Sequence, residues 1–108
     1  MSTRYAVAFT PEEPVPDRSN RIIVTVVGHD RTGIIAETSR VLADAGVNIV
    51  DISQTLLGEF FVMILLADLS QAKIGLDALK VQLLAKAGQL GLRIDAQHED
   101  VFKFMHRV

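Results

Sequence analysis

The chain has 108 residues, of which 49% are hydrophobic, 22% charged and 6% aromatic, a composition typical of one globular domain with its own core. Its 13 acidic and 11 basic side chains give a formal net charge of −2, so we expect no nucleic-acid partner. The absence of cysteine excludes disulfides, thiolate metal sites and thiol nucleophiles. No apolar run reaches the roughly 20 residues that span a bilayer, and we expect a cytoplasmic protein without a membrane partner.

The first 20 residues differ in composition from the rest of the chain. They contain all three prolines and three acidic residues, which indicates an extended arm or linker after a short apolar run at residues 5–9. That run could add a short strand or pack on the body of the domain. We therefore expect residues 1–20 to be a proline-containing N-terminal extension and residues 21–108 to be the folded domain.

The next part of the sequence predicts a strand, a helix and a β-hairpin. Residues 21–27 are rich in β-branched side chains and end at Gly28, which predicts a first strand. A helix of about 13 residues should follow, because apolar residues then share one helical face before Gly46 supplies a left-handed stop. These residues are Ile34, Ile35, Val41, Leu42 and Ala45. Residues 47–57 and 60–66 predict two strands joined by a tight turn at residues 58–59.

The last third of the chain predicts a second helix, a fourth strand and a short helical tail. Ser70 is a candidate cap for the second helix, and apolar residues at steps of three and four carry that helix as far as Gly91. Residues 92–97 alternate between apolar and polar side chains, which is typical of a strand with one face in the core and one face exposed to solvent. Asp100 is a candidate cap for a last helical turn.

The element order β-α-β-β-α-β predicts an α+β, ferredoxin-like sandwich. Right-handed crossovers give a four-stranded antiparallel sheet of order 4-1-3-2 with two helices on one face. The two central strands, at residues 22–27 and 60–66, are nevertheless apolar on both faces. Because an uncovered apolar face normally marks an interface, either a second subunit or the tail at residues 101–108 should cover it.

The loop between the first strand and the first helix carries the clearest functional signal. Its Gly-x4-Gly spacing resembles a phosphate loop, but Ile34 and Ile35 replace the lysine and hydroxyl that nucleotide hydrolysis needs. Gly33 would let the backbone approach a ligand closely, and the free N–H groups at the helix start favour an anion such as a carboxylate. The alternative is an ordinary turn in which Asp30 or Thr32 caps the helix.

Four segments taken together resemble the ACT domain, namely residues 24–28, residues 30–35 (DRTGII), residues 45–49 (AGVNI) and residues 51–55 (DISQT). The resemblance covers residues 21–108 and is nearest to the free-standing ACT proteins of the UPF0237 type. It implies a noncatalytic regulatory protein, a homodimer or a tetramer, that binds an amino acid or similar small effector and passes its occupancy to an unidentified partner enzyme. It implies no cofactor.

The resemblance also implies a site, because ACT domains generally bind their effector between the first loop and helix of one copy and the second strand of its neighbour. Carried over by position, this site comprises Asp30, Arg31, Thr32, Gly33, Ile34 and Ile35 of one copy and Asn48, Ile49 and Val50 of the other. Backbone N–H groups at residues 33–35 would receive a carboxylate, Asp30 would attract an ammonium group, and Asn48 would hydrogen-bond across the interface. Arg31 would hold a carboxylate or face solvent, and Asn48 would otherwise make local turn hydrogen bonds.

The second strand is an edge strand in this topology, so pairing two copies there would give one eight-stranded sheet. Gln54 and Thr55 of that strand would contact the neighbour or face solvent. A module that docks on a partner enzyme without any ligand of its own is the alternative function.

RNA binding is not expected, because the third strand departs from the RNA-recognition pattern at Leu57, Glu59 and Ile64.

A metal site is not expected either. The topology places His29 and His98 at opposite ends of the sheet, and His98 lacks the second histidine of the metalloprotease helix motif.

Overall fold

A computed structural model describes the backbone of residues 20–105 and the side chains of residues 20–102. The predicted extension at residues 1–19 and the end of the tail lie outside the described residues. The elements in chain order are β1 Arg21–His29, α1 Ile34–Asp44, β2 Asn48–Leu57, β3 Phe60–Asp68, α2 Leu76–Leu90, β4 Arg93–His98 and α3 Glu99–Met105. The strands form one antiparallel sheet of order β2-β3-β1-β4, which confirms the predicted fold.

The core lies between the sheet and the first two helices. Every second residue of the two central strands points toward those helices and is buried, as the two-residue period of a strand requires. The buried strand residues are Ile22, Val24 and Val26 of β1 and Phe61, Met63, Leu65 and Ala67 of β3. Helices α1 and α2 contribute Ile34, Leu42, Leu79, Leu83 and Ala87 from the opposite side.

The first strand does not end at Gly28, as the sequence pattern predicted, but runs on to His29. A Cβ at Gly28 would lie 2.5 Å from Cδ2 of Leu92, the end of a flexible side chain, and 3.4 Å from its Cα. A larger residue would therefore require the Leu92 side chain to move, and Gly28 does not break the strand.

Both predicted side-chain caps in the second half of the chain are wrong. Helix α2 begins at Leu76 after Gly75, so Ser70 lies well before it, in a turn where its backbone N–H donates to Oδ1 of Asp68 at 2.8 Å. Helix α3 begins at Glu99, which puts Asp100 inside the first turn and not before it. The Asp68 carboxylate therefore stabilises the turn in which Ser70 lies, and Ser70 does not cap α2.

The buried face of α1 is the predicted one except at Ile35, because Ile34, Leu42 and Ala45 are buried and Val41 packs against the core. Ile34, Thr38 and Leu42 are its buried residues, which is the four-residue spacing of neighbours on one helical face. Ile35, predicted to lie on that face, is 39% exposed because one residue along a helix turns the side chain by about 100°.

Within residues 20–105, the opposite face of the sheet, here called the open face, carries no helix over most of its length. Alternation along the central strands directs Ile23, Thr25, Val27 and His29 of β1 and Phe60, Val62, Ile64 and Leu66 of β3 to this face. Helix α3 contacts β1 and β4, and Nε of Arg21 lies 3.4 Å from Oε1 of Glu99. This part of the predicted tail therefore packs at the Arg21 end, and the covering that it provides leaves Val27, Phe60 and Ile64 39%, 45% and 40% exposed.

Candidate ligand-binding site

The loop between β1 and α1 is held against the β2–β3 hairpin. The backbone N–H of Asp30 donates to the carbonyl of Glu59 at 3.1 Å, and the loop ends at Gly33, which precedes the helix with φ 92° and ψ −1°. No side chain caps α1, so the alternative interpretation, in which Asp30 or Thr32 caps the helix, is wrong. Among the described residues, no side chain therefore hydrogen-bonds to the start of this helix.

Gly33 is suited to bring backbone N–H groups to a ligand. Its carbonyl accepts the N–H of Glu37 at 2.9 Å, whereas the N–H groups of the first helical turn have no carbonyl four residues before them inside the helix. A Cβ on Gly33 would have no heavy atom within 4 Å, so the space beside it is open. Only the positive φ restricts the position, because side-chain-bearing residues are strained there.

An open groove of about 330 Å³ lies beside this loop, and it is lined by Asp30, Gln54, Thr55, Leu56 and Phe61. It combines a carboxylate, an amide, a hydroxyl and apolar carbon, the mixture that small-molecule sites use to orient a ligand. Of the residues that line the groove, Asp30 was predicted as a site residue. For Gln54 and Thr55 the sequence left two alternatives open, a contact with the neighbouring copy or exposure to solvent. Leu56 and Phe61 were missed, although they are partners in the hairpin register that the tight turn fixes.

Arg31 has a partner that the sequence did not indicate. Its Nη1 donates to the carbonyl of Leu90 at 3.2 Å, at the C-terminal end of α2, where the helix dipole favours a cation. The remaining predicted residues of this segment divide by burial: Thr32 is exposed, whereas the side chain of Ile34 lies in the core. Ile34 can therefore offer a ligand its backbone N–H but not its side chain.

The other predicted segment, Asn48, Ile49 and Val50, lies at the far end of the sheet in the same copy. Asn48 pairs with Asp68, which pairs with Arg21, whereas the loop follows His29 at the opposite end of β1. Eight residue steps along a strand span about 26 Å at the usual rise. One copy of the chain therefore does not bring the two segments together. Val50 is 47% exposed and sits at a register shift in β2.

The histidines are placed as the topology predicted. His29 ends β1, where its ring lies 4.9 Å from that of Phe60, whereas His98 pairs with Ile22 at the other end of the same strand. Over the part of the chain that the structure describes, no three histidine or acidic side chains are grouped to hold a metal ion. Within the same range, no helix is long and apolar enough to cross a membrane.

The geometry of the sheet and loop agrees with the comparison to known families. The sequence model of the ACT domain matches residues 20–97, a span that contains the first three strands, all of β4 except His98, both long helices and the loop at residues 30–33. The chain therefore belongs to the ACT domain family, whose members are typically ligand-binding regulatory domains.

The relatives include a UPF0237 protein of Methanocaldococcus jannaschii, 48% identical over 89 residues that cover 82% of this chain and 99% of that protein. Among solved structures, an ACT domain protein from Streptococcus pneumoniae is 36% identical with a TM-score of 0.69, covering 79% of this chain and 96% of that one. A protein proposed to be a glycine cleavage system transcriptional repressor is 27% identical with a TM-score of 0.64, covering 72% of this chain and 44% of that one.

Proposed function

We propose that this protein is a noncatalytic regulatory domain that binds an amino acid, or a similar small metabolite, between two copies of itself. The observation that carries the proposal is the start of α1, where Gly33 adopts φ 92° and no side chain caps the helix. A ligand carboxylate is the complementary group, because it accepts several N–H bonds and is favoured by the positive end of the helix dipole. Asp30, on the adjacent groove, supplies the negative charge for an ammonium group.

The second half of the site would come from a partner copy through the edge of β2. This strand is at the end of the sheet, and the five residues from 53 to 57 are exposed, so its outer backbone groups are available for pairing. A two-fold axis near the middle of β2 pairs the two strands antiparallel and places Asn48 of one copy beside Leu57 of the other. Leu57 is at the hairpin end of the sheet, near the loop at residues 30–33. Edge pairing therefore offers a way to join the two segments that one copy keeps apart.

Ligand binding would act on assembly by mass action. A ligand that contacts both copies binds the dimer better than the separate subunits, so rising ligand concentration favours the dimer. The regulatory output would follow from this change in assembly or from a partner enzyme that recognises the occupied dimer. The related repressor named above is itself proposed to be a regulator, which supports the class of function without naming this chain's target.

Isothermal titration calorimetry against the twenty amino acids tests the proposal. We expect at least one saturable response in the wild-type protein and its loss in Gly33→Val, because a β-branched residue resists the left-handed backbone that presents the N–H groups. Gly88→Val is the control for a β-branched residue at an open glycine, since Gly88 lies inside α2 with no heavy atom within 4 Å of its Cβ position. This control should lose some helix stability and keep the response.

Two results would contradict the proposal. If none of the twenty amino acids gives a saturable response, the alternative of a docking module without its own ligand is favoured. If Gly33→Val binds as the wild type does, the loop at residues 30–33 is not part of the site. Sedimentation at fixed protein concentration adds an independent readout, because the ligand should lower the dissociation constant of the wild-type dimer.

A further inference from the structure

Strand β4 is the second edge of the sheet, and a groove of about 240 Å³ lies between this edge and α2. The groove is lined by Lys80, Leu83 and Leu84 of α2 and by residues 94–97 of β4. No residue of β1 lines it, which places it on the outer side of β4. Alternate N–H and C=O groups on that side have no neighbouring strand among residues 20–105. An extended segment adds to a sheet edge of this kind as a further strand.

Residues 5–9 read Tyr-Ala-Val-Ala-Phe, the apolar run for which the sequence left open a short strand or packing on the domain. Large side chains alternate with alanine, so a strand formed here would have its three large side chains on one face. Pro11 has no N–H for a strand ladder and would end such a strand. The match to the ACT domain model begins at residue 20, so this run is additional to the matched domain.

We propose that residues 5–9 add to the outer edge of β4 of the same chain as a fifth strand and fill the groove. The backbone of the run supplies the hydrogen bonds that β4 lacks on its outer side. The three large side chains lie on the helix side of the edge, against Leu84, which is 66% exposed on the described domain. The two alanines lie on the opposite face. Backbone pairing gives the contact its affinity, and the alternate side chains give it its orientation.

The chain between the run and the domain starts in the right place and is long enough. The pairing of Ile22 with His98 puts the beginning of β1 beside the end of β4. A strand on the outer side of β4 lies two strand spacings from β1, and the far end of β4, at Arg93, is therefore about 20 Å from the beginning of β1. Residues 10–19 span up to about 33 Å when extended. One copy can therefore cover its own edge.

The fifth strand would also limit how copies of the chain pair. Strands β2 and β4 lie at opposite ends of the sheet, and the groove beside β4 shares no residue with the candidate ligand site. A sheet with two free edges can pair repeatedly, whereas a sheet with one covered edge pairs once. The run at residues 5–9 therefore restricts edge pairing to β2, and it does so whether or not the protein binds an amino acid.

The fluorescence of the full chain tests the contact, because Tyr5 is its only tyrosine and it has no tryptophan. Leu84→Lys puts a charge into the groove and should raise the quenching of Tyr5 by acrylamide about twofold or more. Val81→Lys is the matched control, since Val81 is 68% exposed on the same helix but does not line the groove, and it should leave the quenching unchanged. Within the extension, Val7→Asp should act as Leu84→Lys does, and Val15→Asp should have no effect.

Introduced cysteines identify which chain supplies the strand, since the protein has none of its own. Under mild oxidation, Val7→Cys combined with Leu84→Cys should form a disulfide within one chain, measured by mass spectrometry of the denatured protein. Val15→Cys combined with Leu84→Cys should form one about ten times more slowly, because residue 15 lies in the connection and not in the strand.

Four outcomes would overturn the contact. The first is a Tyr5 that is quenched in the wild type as readily as in Leu84→Lys, and the second is an equal rise in Val81→Lys. The third is a Tyr5 that stays protected in every variant, which would place the run elsewhere, such as on the open face. The fourth is a disulfide that forms only between chains, which would assign the groove to the extension of a neighbouring copy.

Discussion

Leu65 and Ile64 are neighbours in β3 and have similar side chains, yet they lie in opposite environments. Leu65 is completely buried beneath the helices, whereas Ile64 is 40% exposed on the open face. The difference arises outside the strand: the crossovers that contain α1 and α2 both pass over one face of the sheet. A strand that is apolar on both faces therefore has one face filled by its own helices, and the described residues cover the other face only in part.

The largest expected effect is on the free energy of unfolding, when Leu65 and Ile64 are each truncated to alanine in separate variants. Leu65→Ala should lower the free energy of unfolding by about 3 kcal/mol, because it leaves a cavity in a closed core. Ile64→Ala should cost less than about 1 kcal/mol in the isolated subunit. Urea unfolding at two protein concentrations measures both, and any concentration dependence of the Ile64→Ala effect would report association through this face. Equal costs at low concentration would contradict the burial difference.

A smaller loss should follow from removing the charge that holds α3 at the edge of the open face. The side chains of Arg21 and Glu99 are only 17% and 10% exposed, so Glu99→Gln leaves a mostly buried guanidinium without its counter-charge. With allowance for the remaining solvent contact, we expect a loss of about 1–2 kcal/mol. Asp100→Asn, in the same first turn but exposed, controls for the helix dipole and should cost less. Similar losses in thermal unfolding would mean that the dipole, and not the ion pair, dominates.

The smallest expected change is a gain, on the filled face. Thr38 is fully buried, and its Oγ1 has no hydrogen-bond partner among the described residues. Burying this hydroxyl therefore costs free energy that no hydrogen bond offsets. Thr38→Val keeps the branched shape and should raise the free energy of unfolding by about 1 kcal/mol. Thr32→Val, in the exposed loop, should change it by less than about 0.5 kcal/mol. A loss of stability in Thr38→Val would indicate that the hydroxyl has a partner in solution.

The fold was predictable because each element has a clear hydrophobic period and the order of the elements leaves few topologies. The errors concern where elements begin and end. Gly28 resembles a strand end, but β1 continues through it and pairs His29 with Phe60. Ser70 resembles a helix cap, but α2 begins only at Leu76, and the backbone N–H of Ser70 donates to the side chain of Asp68. The pairing with β3 sets the first boundary, and local spacing does not show it.

The candidate site was only partly predictable for a related reason. The loop at residues 30–33 and the role of Gly33 follow from the strand-to-helix pattern, and the structure gives that glycine its left-handed backbone. The contact of Arg31 with the end of α2 joins positions 59 residues apart and leaves no local pattern. The segment at residues 48–50 was inferred from the family resemblance, and its part in the site stays a prediction that depends on a second copy.

The hydrogen bond from the N–H of Asp30 to the carbonyl of Glu59 couples the loop at residues 30–33 to the tip of the β2–β3 hairpin. Because this bond joins the two backbones directly, a displacement of the loop would also move the hairpin tip. Slowed deuterium uptake at the Asp30 amide, spreading to the hairpin when a metabolite is added, would be the earliest sign that occupancy affects the edge of β2, where we propose that two copies pair.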